Sequence, residues 1–209
     1  MKSSFQLYLY RSFQINMPRT EVFDRKQVLE KVKHLFWDKG FNGTSMQDLV
    51  DITGLNRSSL YNSFGNKKAL YELVLAQYQE EGNLFFEEAL SQEENAFKAI
   101  SRIFTTLTTA IMKDVEGKGC FNMNCTTELS RADIGIRAFL TSRQEHTISV
   151  FKTLVEKGQQ QGVINKEDTS ENYGYYLFSA FQGLRMTGML TRDQQKLKKI
   201  VQNILKIVE

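Results

Sequence analysis

The chain has 209 residues, enough for one large or two small domains with a sizeable core, and its single proline, Pro18, leaves everything downstream free to be helical. The net charge of +3 is too mild to announce a nucleic-acid binder, and the two cysteines, Cys120 and Cys125, are spaced neither as a disulfide framework nor as a zinc site. Two histidines, no glycine-rich phosphate loop after a strand and no ligand cluster exclude an assembled catalytic constellation, so no enzyme, metal or cofactor is expected.

Helical periodicity recurs and bounded two-residue alternation is hard to find, which predicts an all-α fold. Residues 1–17 look unlike the rest, and Met17-Pro18-Arg19 would make a natural start. They are expected to be an extension, poorly ordered or peripheral, although Arg11 and the tyrosines could also form an arm touching DNA. The start is a poor signal peptide and no apolar run can span a bilayer, so no membrane partner and a cytoplasmic location are expected.

From Asp24 to Lys39, Val28, Val32, Leu35 and Phe36 share one helical face, and Gly40 ends the helix. Thr44-x-x-Gln47 has the pattern of a capping box, followed by Met46, Leu49, Val50 and Ile52 on a short apolar face that Gly54 can stop. A second short helix, Asn56 to Asn62, turns Leu60 inward and carries Asn56, Arg57, Ser58, Ser59, Tyr61 and Asn62 as donors able to meet phosphates and base edges. Asn66 is a candidate cap for a long helix to about Ala89, with Leu70, Leu73, Val74 and Gln77 along one stripe. Lys67 and Lys68 in its first turn oppose the helix dipole, which makes sense if a phosphate sits there. Five further helices follow, near 95–113, 122–130, 133–158, 169–190 and 193–208, with no internal repeat. The organisation expected is a helix-turn-helix domain over 18–66 and one helical body over 67–209. Residues 18–68 hold nine Lys/Arg against six Asp/Glu, so the basic excess sits with the helix-turn-helix.

The segment FNGTSMQDLVDITGLNRSSLYNSFGNKKALYELVL resembles the DNA-binding domain of the tetracycline-repressor (TetR) family. The likeness is carried by Gly43-Thr44, Asp48-Leu49, Gly54-Leu55, Leu60-Tyr61-x-x-Phe64 and Lys67-x-x-Leu70, and Gly65 departs from it where proline is common. In the body, Gly119-Cys120-Phe121 followed by Thr127-Glu128-Leu129 is similar to one branch of the family. The resemblance implies a bacterial all-α homodimer with a homeodomain-like three-helix reading unit and a helical ligand-binding and dimerisation domain. Such a protein is usually a repressor, released from a palindromic double-stranded operator by a small-molecule effector.

Carried onto these positions, the resemblance makes Thr44, Tyr61 and Lys67 phosphate contacts, with Tyr61 divided between that role and core packing, and Ser45 a further DNA contact. Asn56, Arg57, Ser58, Ser59 and Asn62 become groove contacts, Arg57 and Ser59 being favoured for base readout. Lys67→Ala is then expected to weaken binding to all sequences alike and to flatten the salt dependence by about one unit of slope. The expected effector pocket comprises Phe85, Phe104, Met112, Phe121, Asn124, Arg143, Tyr175, Phe178 and Gln182, where Arg143 would pair an acidic ligand or a buried Glu, or instead be solvated or at a dimer rim. The expected dimer interface comprises Tyr176, Ser179, Phe181, Gly183, Ile200 and Ile204. Cys120 and Cys125 read as small buried thiols, with a redox switch as the alternative. A helical interaction module without DNA would leave the basic, donor-rich short helix unexplained.

Overall fold

Helix starts in this chain are set by side-chain oxygens that accept the first free backbone N–H groups. Asp24, Asn56, Asn66, Asn95, Asp133, Thr169 and Asp193 all cap in this way. The computed structural model describes residues 23–209, and among these it contains nine α-helices and no strand. They are α1 (Arg25–Gly43), α2 (Met46–Thr53), α3 (Arg57–Phe64), α4 (Lys67–Ser91), α5 (Ala96–Lys113), α6 (Phe121–Leu129), α7 (Ile134–Gln161), α8 (Ser170–Leu190) and α9 (Gln194–Val208). The expectation for residues 1–17 lies outside the described residues.

The expected helices are present, with local corrections. The capping box lies one residue later than the sequence pattern suggested. Ser45 caps α2 by accepting from the Asp48 N–H, and Asp48 reaches back to the Ser45 N–H. Thr44 is buried, and its hydroxyl donates instead to the Gly40 carbonyl at 2.7 Å. Ile52 and Leu73, both expected on core stripes, are 42% and 37% exposed. Tyr71 and Leu75 take the buried side of α4. The α7 helix runs three residues beyond Gly158, to a left-handed cap at Gly162.

Two apolar cores result. One joins Val28, Val32 and Phe36 of α1, Leu49 of α2, Leu60 and Phe64 of α3, and Leu70, Tyr71, Val74 and Leu75 of α4. It also takes in Phe121, Cys125 and Leu129 of α6 and Ile136 and Leu140 of α7. The core that holds the reading unit therefore runs across residue 66 into the body. Edge-to-face rings tie the elements together, Phe36 on Tyr71 at 4.8 Å and Tyr71 on Phe121 at 5.5 Å between centroids. The second core is built from α5, the later part of α7, α8 and α9 around Phe104, Phe151, Leu177 and Phe181.

Candidate DNA interface and the cavity behind it

The α2–turn–α3 unit is rigid for local reasons. Gly54 ends α2 at φ 72°, a conformation that costs an L-residue about 1–2 kcal/mol, and the Thr53 hydroxyl accepts from the Leu55 N–H. Leu60 and Phe64 anchor α3 while Arg57, Ser58, Tyr61 and Asn62 are exposed on its other side. Asn56 and Ser45 are exposed too, but their oxygens are engaged in capping. Ser59 is half-buried. The fully exposed side chains with no cap to serve are thus Arg57, Ser58, Tyr61 and Asn62, a smaller set than the sequence alone distinguished.

Asp48 is the electrostatic centre of α2. The Lys39 ammonium, at 2.6 Å, and the Ser45 hydroxyl and N–H hold its carboxyl well below the usual carboxylate range. A depressed carboxyl stabilises the fold fully above its ordinary pKa, about 3.9, and the contribution is lost as pH falls below that value. Asp48→Asn is therefore expected to melt at a lower temperature than wild type at neutral pH. The gap should shrink towards about pH 3, as followed by circular dichroism; an equal gap at both pH values would show that this ion pair contributes nothing.

The lysines at the start of α4 have protein partners. Lys67 Nζ donates to the Phe41 and Thr44 carbonyls, both at 2.8 Å, and lies 4.3 Å from the Phe41 ring centroid. Lys68 pairs with Asp133 at 2.5 Å. Of the two residues expected at phosphates, Thr44 is inside and the Lys67 ammonium is held by the α1–α2 turn. Glu128 of α6 grips the same turn from the body, accepting from the Phe41 N–H at 2.9 Å and the Asn42 N–H at 2.7 Å.

Behind the reading unit lies a cavity of about 830 Å³, within the range of ligand pockets. It is walled by Trp37 of α1, Tyr78, Phe85 and Phe86 of α4, the end of α5 and the loop after it, Met123 of α6, Arg143 of α7, and Phe178, Gln182 and Arg185 of α8. Tyr78 donates to Cys120 Sγ at 3.7 Å on this wall. Cys125 lies in the first core instead, where burial pushes its thiol up and disfavours a reactive thiolate.

Residues 28–74 match the model of the bacterial regulatory proteins of the tetR family. Over 200 residues the chain is 33% identical to the HTH-type transcriptional repressor ComR of Escherichia coli, covering 90% of each protein. The chain belongs to the TetR family. It is also 27% identical over 194 residues to an HTH-type transcriptional regulator, YezE, of Bacillus subtilis, covering 92% of this chain and all of the other. Among solved structures, the TetR-family regulator CifR, a cysteine mutant complexed with 26-bp double-strand operator DNA, shares the fold. Its TM-score is 0.80 at 20% identity, over 90% of this chain and 98% of that one.

Within this TetR fold, Phe85, Arg143, Phe178 and Gln182 of the expected pocket do meet at the cavity. The other five do not. Phe104 is wholly buried in the second core and Phe121 in the first; Met112 packs against the second core. Asn124 turns aside to donate to the Lys118 carbonyl. Tyr175 is 51% exposed on the outer face of α8. Arg143 is inside, not at a rim, at 8% exposure. Arg185 also lines the cavity and lies outside the expected set, although as the only basic residue of α8, four residues after Phe181, it carried a usable signal.

Among the residues expected at the dimer interface, Phe181 and Ile204 are buried within the protomer. Phe181 packs among Phe86, Phe104 and Phe151, edge-to-face on the last two. Tyr176 is half-buried and donates to the Ile204 carbonyl, while Ile200 is half-buried against the second core. Ser179 and Gly183 face outward, and a Cβ at Gly183 would meet nothing within 4 Å. They belong to an outward stripe with Tyr175, Met186 and Leu190, the last 92% exposed.

Proposed function

We propose that the protein is a homodimeric repressor that leaves a palindromic double-stranded operator when a small molecule enters the cavity. The observation that carries this is the outward face of α3, where Arg57, Ser58, Tyr61 and Asn62 stand exposed on a helix anchored by Leu60 and Phe64. A guanidinium at the first turn of such a helix can read a guanine edge bidentately, and neighbouring hydroxyl and amide groups can fix register on phosphates. Ser45, Asn56 and Ser59 lie close enough in sequence and exposure to join through backbone or remaining donor groups.

The outward stripe of α8, from Tyr175 to Leu190, supports self-association. Exposed Met186 and Leu190 with the small Ser179 and Gly183 suit close approach of a second copy about a two-fold axis. Two copies would present their α3 helices to half-sites about one helical turn of DNA, or a multiple of it, apart. Acting on DNA places the protein in the cytoplasm.

Protection footprinting on DNA flanking its own gene, with competitor DNA present, tests the reading. Wild type is expected to protect a two-fold symmetric site. Arg57→Ala should weaken specific binding by about 1–3 kcal/mol and relax the sequence preference at one position in each half-site. Protection that does not survive competitor, or an Arg57→Ala protein that protects the same site equally well, would overturn it.

A further inference from the structure

Two guanidinium groups face the cavity without a carboxylate in ion-pair contact, Glu80 acting on Arg143 only from further away. Arg143 comes from α7, is nearly buried, and donates to Asn83 Oδ1. Arg185 comes from α8, lies 4.9 Å from the Phe181 ring centroid, and has the Tyr78 hydroxyl and Cys120 thiol beside it. Its Nε is buried with no hydrogen-bond partner. Neither guanidinium has a carboxylate within 4.0 Å among the described residues. The carboxylates on the same wall are already engaged. Glu81 pairs with Lys33 at 2.6 Å and Glu116 with Lys118 at 2.8 Å, while Asp114 accepts from the Lys118 and Gly119 N–H groups.

Arginine cannot shed its proton to escape burial, so a desolvated guanidinium needs an anion or a set of acceptors. Here two of them share one apolar space and repel each other, and burial pulls Arg143 below its ordinary value. The rest of the wall is aromatic and aliphatic. A molecule that satisfied both arginines and this wall would carry one acidic group on an apolar body.

We propose that the effector is an organic acid whose anionic group binds between Arg143 and Arg185, with its apolar body against Phe85, Phe86, Phe178 and Trp37. This rests on the cavity being the effector site. Bidentate guanidinium geometry suits a carboxylate or sulfonate, and the cavity volume admits a body of one to three rings or a medium-length chain.

Two fluorescent probes with nearly the same rings separate charge from apolarity: anilinonaphthalene sulfonate, which is anionic, and phenylnaphthylamine, which lacks the sulfonate. Full-length wild type is expected to bind the sulfonate at least about tenfold more tightly, as charge-assisted bonds to two arginines require. Arg143→Gln and Arg185→Gln should each remove about tenfold from the sulfonate affinity and change phenylnaphthylamine less than about twofold. The neutral probe thus reports whether the cavity survives each substitution. Equal affinity of wild type for the two probes overturns the proposal without any variant, and so does parallel loss of both probes in a variant that still melts cooperatively. Operator binding by the probe-free protein is measured alongside. Its failure would count against the regulator reading, whereas the probe ratio judges the anion site alone.

Discussion

Lys67→Ala is expected to lower the unfolding free energy by about 2–4 kcal/mol while leaving the salt slope of DNA binding unchanged. The side chain bonds two carbonyls at 2.8 Å, Phe41 and Thr44, and rests on the Phe41 ring. Both carbonyls lie where α1 gives way to α2, so the ammonium ties the start of α4 to the turn that positions the reading unit. A hydrogen bond from a charged donor contributes about 1.5–3 kcal/mol, and a partly exposed cation on an aromatic face about 0.5–1 kcal/mol. Truncation removes all three contacts. DNA affinity should then fall for every sequence alike, because the unit that carries α3 is loosened. A phosphate contact would behave otherwise: its removal would reduce the salt slope by about one and leave stability near wild type. Urea unfolding and a salt titration of operator binding decide between the two. Unchanged stability with a flattened slope would return Lys67 to the DNA.

The contrast between those outcomes shows where a linear reading of the chain succeeds. Caps are local, and Asn66 could be placed because its oxygen acts within three residues of itself; the helix starts at Asn56 and near 95, 133, 169 and 193 were legible, and each proves to be capped in the same way. Lys67 could not, because its acceptors lie 26 and 23 residues earlier and the pattern of a basic first turn fits a phosphate equally well. Thr44 and Ser45 offered two hydroxyls and two downstream partners, Gln47 and Asp48. The choice between them depends on Thr44 finding the Gly40 carbonyl across a turn. In the cavity, periodicity cannot tell a wall from a core, so Phe104 and Phe121 read like Phe85 and Phe178. Polar groups fared no differently: Arg143 and Gln182 line the cavity, whereas Asn124 turns aside to the Lys118 carbonyl. Tyr175 and Phe181 exchanged faces because α8 is apolar on more than one side, and only its packing shows which side turns outward.

Glu128→Ala is expected to cost about 2–4 kcal/mol and to weaken communication between the cavity and the reading unit. The start of α6 lies at the cavity, where Cys120, Asn122, Met123 and Thr126 line the wall. Glu128, seven residues and about 10 Å along from Phe121 at 1.5 Å per residue, accepts from the Phe41 and Asn42 N–H groups. Those two groups fall outside the α1 ladder because Gly40, at φ 73°, breaks it. Truncating the carboxylate leaves two donors to be satisfied by water at the edge of the first core. Gly40 shares this arrangement, since a Cβ there would stand 2.9 Å from Glu128 Oε2. Gly40→Ala is therefore strained twice, by its backbone angle and by displacing the carboxylate. Once Glu128 is absent, only the backbone strain remains. The double variant should thus lose less than the sum of the two single variants, with a coupling of about 0.5–3 kcal/mol in urea unfolding. Simple additivity would show that residue 40 and the carboxylate act independently. In the Glu128→Ala protein, saturating anilinonaphthalene sulfonate should change operator affinity less than it does in wild type, because α6 no longer holds the turn that feeds α2. An undiminished response would assign the coupling to α4, whose first turn holds the same α1–α2 turn through Lys67 and the Phe41 and Thr44 carbonyls.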